Sequence, residues 1–113
     1  WDGGDQLLRH MVTELHRMKR TADFLSRFSD DQLVLVLPET NHEQALLAGE
    51  RVRRLASSLE LPYASGNIRC TVSVGVSTLA GLEDTAEEML TRLQENLAVA
   101  RQSGGNRVEG ESF

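Results

Sequence analysis

Apolar residues recur at helical spacing in three separate stretches, and each stretch predicts a helix with one buried face. The first stretch runs from about residue 5 to residue 18. The second follows Thr40-Asn41-His42-Glu43 and the third follows Thr85-Ala86-Glu87-Glu88, both of which have capping-box spacing. Gly104 is a natural stop for the third helix. The predicted core positions are, helix by helix, Leu8, Met11, Leu15 and Met18; Ala45, Ala48, Val52, Leu55 and Leu59; and Met89, Leu93, Leu97 and Ala100.

The stretch between the first two predicted helices has the pattern of a β-hairpin. Residues 23–28 alternate, which would place Phe24 and Phe28 on one side of a strand and Leu25 on the other. Residues 33–37 form a continuous apolar run, and such a run predicts a strand that is covered on both faces. The polar residues between the two runs predict the turn.

The later segments complete a pattern of mixed elements. Residues 62–67 predict a loop, residues 68–76 alternate as one long strand, and residues 107–108 predict a short final strand. The order indicates an α+β fold, in which helices pack on a sheet. Three substantial strands make a thin sheet for three helices, so we expect that an N-terminal strand is missing. It would come from residues outside this sequence, from another chain, or from an altered topology.

The composition of the chain excludes several classes of protein. The length of 113 residues suits one domain, and hydrophobic residues make up 40% of it. Scarce aromatic residues, at 4%, and a net charge of −5 argue against binding to nucleic acid polymers. The single cysteine, Cys70, suits a reducing cytoplasm. We find no signal peptide and no apolar run that could span a bilayer, so a cytoplasmic location without direct membrane insertion is expected.

Several segments occur in a recognisable order along the chain. They are Gly4-Asp5-Gln6-Leu7-Leu8, Arg20-Thr21-Ala22-Asp23, the hairpin turn, Leu37-Pro38-Glu39-Thr40, Gly49-Glu50-Arg51-Val52-Arg53, Thr71-Val72-Ser73-Val74-Gly75-Val76 and Gly104-Gly105-Asn106-Arg107-Val108. Together they resemble the GGDEF domain of diguanylate cyclases over nearly the whole chain. The resemblance implies a sheet-and-helix fold related to nucleotide cyclases. It also implies a family activity, in which two GTP molecules are joined into cyclic di-GMP at a dimer interface.

The resemblance places the family's catalytic turn at Ser29-Asp30-Asp31-Gln32-Leu33. The family has glycines at the first two positions, where backbone must approach a triphosphate, and the carboxylate of Asp30 would repel the phosphates. At the third turn position, where the family has an acidic metal ligand, Asp31 is also acidic. Gln32 replaces a glutamate that the family uses for metal binding and proton removal, and an amide can do neither. We therefore predict no catalytic residue, no metal and no cofactor, with Asp31 as a vestigial ligand.

Other nucleotide-binding positions of the family are incomplete. Asp5 matches a guanine contact and Arg101 matches a phosphate-binding lysine, so both are interpreted as vestigial. Gly105 stands where the family has an arginine, and this removes a charge from the transition state. A second metal-binding aspartate and a guanine-reading asparagine fall before Trp1 in the family. Phosphoryl transfer depends on positioned charge, so these losses together predict an inactive domain.

A second ligand site of the family is retained. Its product-inhibition motif RxxD is matched by Arg20 and Asp23, and its further arginine is matched by Arg51. Guanidinium groups can bind guanine or phosphate through two hydrogen bonds, and a carboxylate can accept from guanine. This set predicts a receptor for cyclic di-GMP. The alternative is a local ion pair between Arg20 and Asp23, with Arg51 on a solvated helix face.

Three hypotheses about function remain open at this point. The first is a catalytically inactive regulatory domain in cyclic di-GMP signalling that binds the dinucleotide. The second is a dimerisation or scaffold domain that binds no nucleotide and regulates an attached EAL or other output domain. The third is a weak diguanylate cyclase. In each case residues 1–113 are expected to form one partial GGDEF domain of a longer signalling protein, beside sensory or EAL domains and in a homodimer.

Overall fold

The computed structural model describes residues 2–29, 31–63 and 66–111, without the side chains of residues 2–5 and 63. Within these ranges the helices are α1 (Asp2–Met18), α2 (His42–Ser58) and α3 (Ala86–Gln102). The strands are β1 (Phe24–Ser29), β2 (Gln32–Val36), β3 (Glu60–Tyr63), β4 (Gly66–Arg69), β5 (Val74–Gly75) and β6 (Val108–Glu109). The α+β class predicted from the sequence is confirmed.

Helix α1 forms one side of the main core. The buried cluster consists of Leu7, Met11, Leu15, Ala56 and Leu59. Two of the predicted core positions in α1 are therefore wrong, because Leu8 is only half-buried and Met18 is 36% exposed. Leu7 takes the place expected for Leu8, so the buried face of α1 follows the spacing of four residues from Leu7 to Met11 and Leu15. Met18 is the last residue of the helix and extends past the core.

Helix α2 begins one residue later than predicted. Its N-cap is Asn41, whose side chain accepts the N–H of Gln44 at 2.8 Å, while the Gln44 side chain accepts the N–H of Asn41 at 3.1 Å. The predicted box of Thr40 and Glu43 is wrong. Asparagine is at least as good an N-cap as threonine, and the hydroxyl of Thr40 is engaged by Arg20. The predicted box at Thr85, which begins α3, is confirmed.

The predicted hairpin of β1 and β2 is confirmed, but only one of its faces is covered. Leu25 and Leu33 pack against the main core. On the other face, Phe24 and Val36 lie opposite each other across the hairpin and are 73% and 48% exposed. The prediction that residues 33–37 are covered on both faces is therefore wrong. Apolar composition alone does not say what packs on each side.

The predicted strand at residues 68–76 is divided between two sheets. β4 pairs antiparallel with β3, whereas β5 pairs parallel with β6. The prediction of a loop at residues 62–67 is also wrong for its described part, because β3 and β4 form a second hairpin there. Residues 64 and 65 lie outside the described residues. The first error arises because alternation predicts a strand without identifying its partner.

The strands pair as three separate two-stranded sheets. Within the described residues, β2 pairs only with β1 and β5 pairs only with β6. Each of these strands therefore has one edge without a described pairing partner. The sequence predicted one thin sheet, and the described strands instead form three separate pairs. The source of a further strand stays a prediction.

The short sheet of β5 and β6 lies between α2 and α3. A Cβ on Gly49 of α2 would lie 3.1 Å from the Val108 side chain and 3.3 Å from the side chains of Val74 and Val76. On the other side, a Cβ on Gly75 would reach the backbone of α3. Glycines thus allow close approach of both helices to this sheet.

The turn that follows α3 is tied to α2. Gly104, the predicted stop, has a φ of 111° and lies just beyond the end of α3. Two residues later, Asn106 accepts a hydrogen bond of 3.0 Å from Arg53 of α2. Arg53 also binds Glu50, and this pair lowers the pKa of Glu50 to about 2. The segment at residues 104–108, part of the family resemblance, is therefore held in place by a side chain of α2.

Candidate functional site

The hairpin turn between β1 and β2 is irregular. Ser29 pairs with Gln32, and the register shifts between Arg27 and Ser29. The Ser29 hydroxyl donates to Asp31 Oδ1 at 3.1 Å. Asp30, for which the sequence predicts repulsion of phosphate, lies outside the described residues. The serine at the first turn position therefore uses its side chain to bind the acidic side chain of the turn.

Asp31 is also close to a cation. Arg101 Nη2, from the last turn of α3, lies 3.7 Å from Asp31 Oδ2. The Arg101 side chain is 48% exposed and the Asp31 side chain is 77% exposed. An ion pair that is so exposed contributes little to stability. The structure thus brings together two positions that the sequence identified separately as vestigial. Their pairing was not predicted, because 70 positions separate them in the sequence and no local pattern links them.

The turn does not fit the divalent metal that the family uses. Asp31 is engaged by Ser29 and Arg101, and Gln32 adds no negative charge. In the described part of the chain, no group of three or more His, Cys, Asp or Glu side chains could hold a metal ion. Mg²⁺ is usually bound by carboxylates together with substrate phosphates. One paired carboxylate is a poor substitute for such a set.

An open cleft of about 580 Å³ lies between the hairpin and α3. Its lining residues are Phe28, Gln32, Glu87, Leu90, Thr91, Gln94 and Glu95. Among the described residues, the lining of the cleft includes two glutamates but no lysine and no arginine. A triphosphate in this cleft would therefore meet negative charge instead of the cations that phosphoryl transfer requires.

The predicted RxxD pair forms a well-defined contact where α1 leads into β1. Arg20 donates from Nη2 to Asp23 Oδ1 at 2.8 Å and from Nε to the same oxygen at 3.0 Å. The backbone N–H of Arg20 donates to Asp23 Oδ2 at 2.9 Å. The Asp23 side chain is only 4% exposed, and the hydrogen bond from the Arg20 side chain lowers the pKa of its carboxyl group. The carboxylate is therefore held ionised by Arg20.

Arg20 makes further contacts with the segment before α2. Its Nη2 donates to the carbonyl oxygen of Pro38 at 3.0 Å and to the hydroxyl of Thr40 at 2.9 Å. Sequence reasoning missed Pro38 and Thr40 as partners of Arg20. They follow the hairpin, and only the pairing of β1 with β2 brings them back to the start of β1. These contacts fix the guanidinium, although its side chain is still 58% exposed.

Arg51, the third predicted ligand residue, is exposed on α2. No hydrogen bond or ion pair joins it to Arg20 or Asp23 within residues 2–29, 31–63 and 66–111. Asp5 lies in α1, but its side chain is outside what the structure describes. Gly105 has a φ of 71°, which glycine tolerates and a longer side chain does not favour. The structure thus joins two of the three predicted ligand residues.

Comparison with known proteins agrees with the fold and with the order of the motifs. Residues 1–107 match the family described as diguanylate cyclase, GGDEF domain. The chain belongs to the GGDEF family of diguanylate cyclases, which acts in cyclic di-GMP signalling. It is 34% identical over 113 residues to the response regulator PleD of Caulobacter vibrioides, and 30% identical over 107 residues to diguanylate cyclase DosC of Escherichia coli.

These relatives are much longer than the chain. The match covers 98% of this chain but 25% of PleD, and 94% of this chain but 23% of DosC. Among solved structures, diguanylate cyclase SiaD of Pseudomonas aeruginosa, in complex with its activator SiaC, is 25% identical with a TM-score of 0.89. That match covers 97% of this chain and 42% of SiaD. An active GGEEF domain from Vibrio cholerae shares the fold, with a TM-score of 0.81 at 22% identity, covering 100% of this chain and 71% of that one.

Among the residues that the structure describes, no helix combines the length and the apolar character needed for a membrane span.

Proposed function

We propose that the chain is a catalytically inactive GGDEF domain that binds cyclic di-GMP through Arg20, Asp23 and Arg51 and regulates a neighbouring domain. The main support is the charge at the hairpin turn, where Gln32 supplies no carboxylate and only Asp31 is an acidic side chain among the described turn residues. Asp31 is 77% exposed and lies 3.7 Å from Arg101. Cyclisation of GTP needs metal ions and several positioned charges, and few of them are present here.

Retention of the Arg20 site supports the binding function. The guanidinium is fixed by Asp23, Pro38 and Thr40 before any ligand arrives, and fixed groups lose less entropy on binding. Its contacts with described residues use Nε and Nη2, so Nη1 is available to an anion or a guanine. Asp23 is buried against Arg20, and its first role is therefore to position this arginine.

We expect cyclic di-GMP to bind the wild-type protein, and we expect Arg20→Ala to weaken the affinity at least about tenfold, because a charge-assisted contact is lost. Titration calorimetry measures both. The matched control is Arg17→Ala, which removes an exposed arginine of α1 whose partner is Glu14. The control should bind as the wild type does. No heat from the wild type at high micromolar ligand, or unchanged binding by Arg20→Ala, would contradict the receptor function.

We also expect no cyclic di-GMP to form when the protein is incubated with GTP and Mg²⁺, because the turn lacks charge for the metal and for proton removal. Chromatography of the products measures this, with diguanylate cyclase DosC as the positive control. Turnover by the wild type that disappears in Asp31→Ala would identify a weak cyclase instead. That result would also show that Asp31 can leave Arg101 to bind metal.

A dimerisation or scaffold domain is the second candidate. It is favoured by the Arg20–Asp23 contact itself, because that ion pair is complete without a ligand. In this alternative the domain regulates an attached EAL or other output domain without binding nucleotide. For both candidates we propose a longer multidomain protein with sensory or EAL neighbours and a homodimeric state. The calorimetric experiment separates the two, since only the receptor binds cyclic di-GMP.

A further inference from the structure

The loop between β5 and α3 presents two leucines to solvent. Leu79 is 57% exposed and Leu82 is fully exposed. Single exposed leucines are common on protein surfaces. These two differ from the common case because they lie three residues apart on a loop that is held in place at both ends.

Arg92 of α3 holds this loop. It donates from Nη1 to Asp84 Oδ1 at 2.9 Å and from Nη2 to the carbonyl oxygen of Thr78 at 2.9 Å. The Asp84 side chain in turn accepts a hydrogen bond of 2.8 Å from the N–H of Ala80. The backbone N–H of Asp84 donates to the carbonyl oxygen of Gly81 at 3.2 Å. The ends of the loop are thus fixed on one guanidinium. Presenting the leucines to a partner would cost little ordering entropy.

Acidic side chains surround the leucines. Glu83, Glu87 and Glu88 are exposed in the loop and in the first turn of α3. Asp84 is neutralised by Arg92, so the three glutamates set the charge of this surface. We call Leu79, Leu82 and these glutamates the leucine loop. Its chemistry fits an apolar surface that also carries basic residues.

Such a surface occurs on α2 of the same chain. Leu47 is 58% exposed and Arg51 is exposed. The Arg54 side chain is 74% exposed, although its Nε lies 3.2 Å from Glu50 Oε1. Positions separated by four and three residues lie on one face of a helix. We call these three residues the basic stripe. It combines an apolar side chain with positive charge, and so complements the leucines and the glutamates of the leucine loop.

We propose that the leucine loop of one copy of the protein binds the basic stripe of a second copy. Because the two surfaces differ, the loop of one copy binds the stripe of the next in a head-to-tail contact. If two copies each use both surfaces, the contact instead forms twice in a two-fold dimer. The set of side chains is small compared with a stable interface of roughly 800 Å² per partner, and the association is therefore weak. It also weakens with salt, because exposed charges contribute to it. The contact needs no nucleotide, but Arg51 also belongs to the proposed cyclic di-GMP site, so the two proposals share this residue. Leu79 and Leu82 lie outside that site, and variants of these leucines test the contact separately from the receptor function.

Sedimentation equilibrium at low salt tests this contact from about 10 µM to about 500 µM protein, the range in which weak complexes form. The mean mass of the wild type should rise with concentration. Leu82→Ser should lower the association at least about tenfold, since the apolar side chain that would be buried in the contact is replaced by a polar one. The control Val99→Ser changes an exposed apolar residue of α3 outside both surfaces and should associate as the wild type does.

A charge exchange makes the test specific. Glu83→Lys with Glu87→Lys reverses the loop, and Arg51→Glu with Arg54→Glu reverses the stripe. Each double variant should stay monomeric alone, whereas a mixture of the two should associate because each reversed surface then meets its complement. A constant wild-type mass, association of Leu82→Ser equal to the wild type, or a mixture that stays monomeric would each overturn the proposal.

Discussion

Gly75→Ala is expected to lower the free energy of unfolding by about 3 kcal/mol, because it forces a methyl group into the backbone of α3. The new Cβ would lie 2.6 Å from the carbonyl oxygen of Leu93 and 2.6 Å from the amide nitrogen of Leu97. These are backbone atoms, which cannot rotate away as a side chain can. The helix must shift from β5, and the close packing of the sheet against α3 is lost. Urea denaturation followed by circular dichroism measures the effect.

Gly66→Ala is the matched control for this substitution. Gly66 lies in β4, and a Cβ there would meet nothing within 4 Å. Neither glycine has a φ in the left-handed region, so the two substitutions differ mainly in available space. The control should change the free energy of unfolding by no more than about 1 kcal/mol. Equal denaturation midpoints for Gly75→Ala and Gly66→Ala would mean that α3 does not pack on β5 as described.

The segment at residues 71–76 is one of those by which the sequence resembles the family. The packing of α3 on β5 explains why one of its residues is glycine. Gly75 is required because the α3 backbone approaches β5 too closely for a Cβ. On the opposite side of the sheet, Gly49 faces valine side chains, which can yield more easily than backbone. The same substitution at Gly49 should therefore cost less than at Gly75.

The helices and the first hairpin could be predicted from the sequence because local periodicity determines them. Met11 and Leu15 follow helical spacing, and both are buried as expected. The division of residues 68–76 could not be predicted in the same way. Ile68 and Val74 alternate with polar neighbours as one strand would, yet they pair with different strands. Partner choice depends on the whole fold, which a local pattern does not contain.

The contacts of the candidate site could likewise be predicted from the sequence only where they are local. Arg20 and Asp23 are three residues apart, and their contact follows from short-range geometry. The contacts of Arg20 with Thr40 and of Arg101 with Asp31 join residues 20 and 70 positions apart. The resemblance assigned a role to Arg20, Asp31 and Arg101 one by one. It did not indicate that the last two would lie within 3.7 Å of each other.

Arg92→Met is expected to destabilise the protein strongly at neutral pH, because Arg92 is the shared partner of two poorly exposed carboxylates. Asp84 and Glu111 have side chains that are 7% and 14% exposed, and both bind Arg92. Removing the guanidinium would leave both carboxylates without this partner, although His42 Nδ1 still lies 3.2 Å from Glu111 Oε2. Buried carboxylates that lose their cation are much less stable than paired ones. Thermal denaturation at pH 7 measures the loss.

The pH dependence distinguishes this mechanism from a simple loss of packing. The hydrogen bond from Arg92, followed by that from the N–H of Ala80, holds the pKa of Asp84 well below its ordinary value of 3.8. Stability from the ionised Asp84 is therefore present above that ordinary pKa and is lost as the pH falls toward the lowered one. The deficit of Arg92→Met should thus be largest at pH 7 and should shrink below about pH 4.

Arg51→Met is the control for this pH experiment, since it removes an exposed arginine of α2 that makes no described ion pair. At the protein concentrations of a denaturation experiment it should leave the midpoint nearly unchanged at both pH values. A deficit of Arg92→Met that stays constant down to pH 3 would show that the aliphatic part of Arg92 matters more than its charge. A midpoint equal to that of Arg51→Met would contradict the role of Arg92 in holding the loop before α3. The same result would remove the rigid presentation of Leu79 and Leu82, on which the proposed self-association depends.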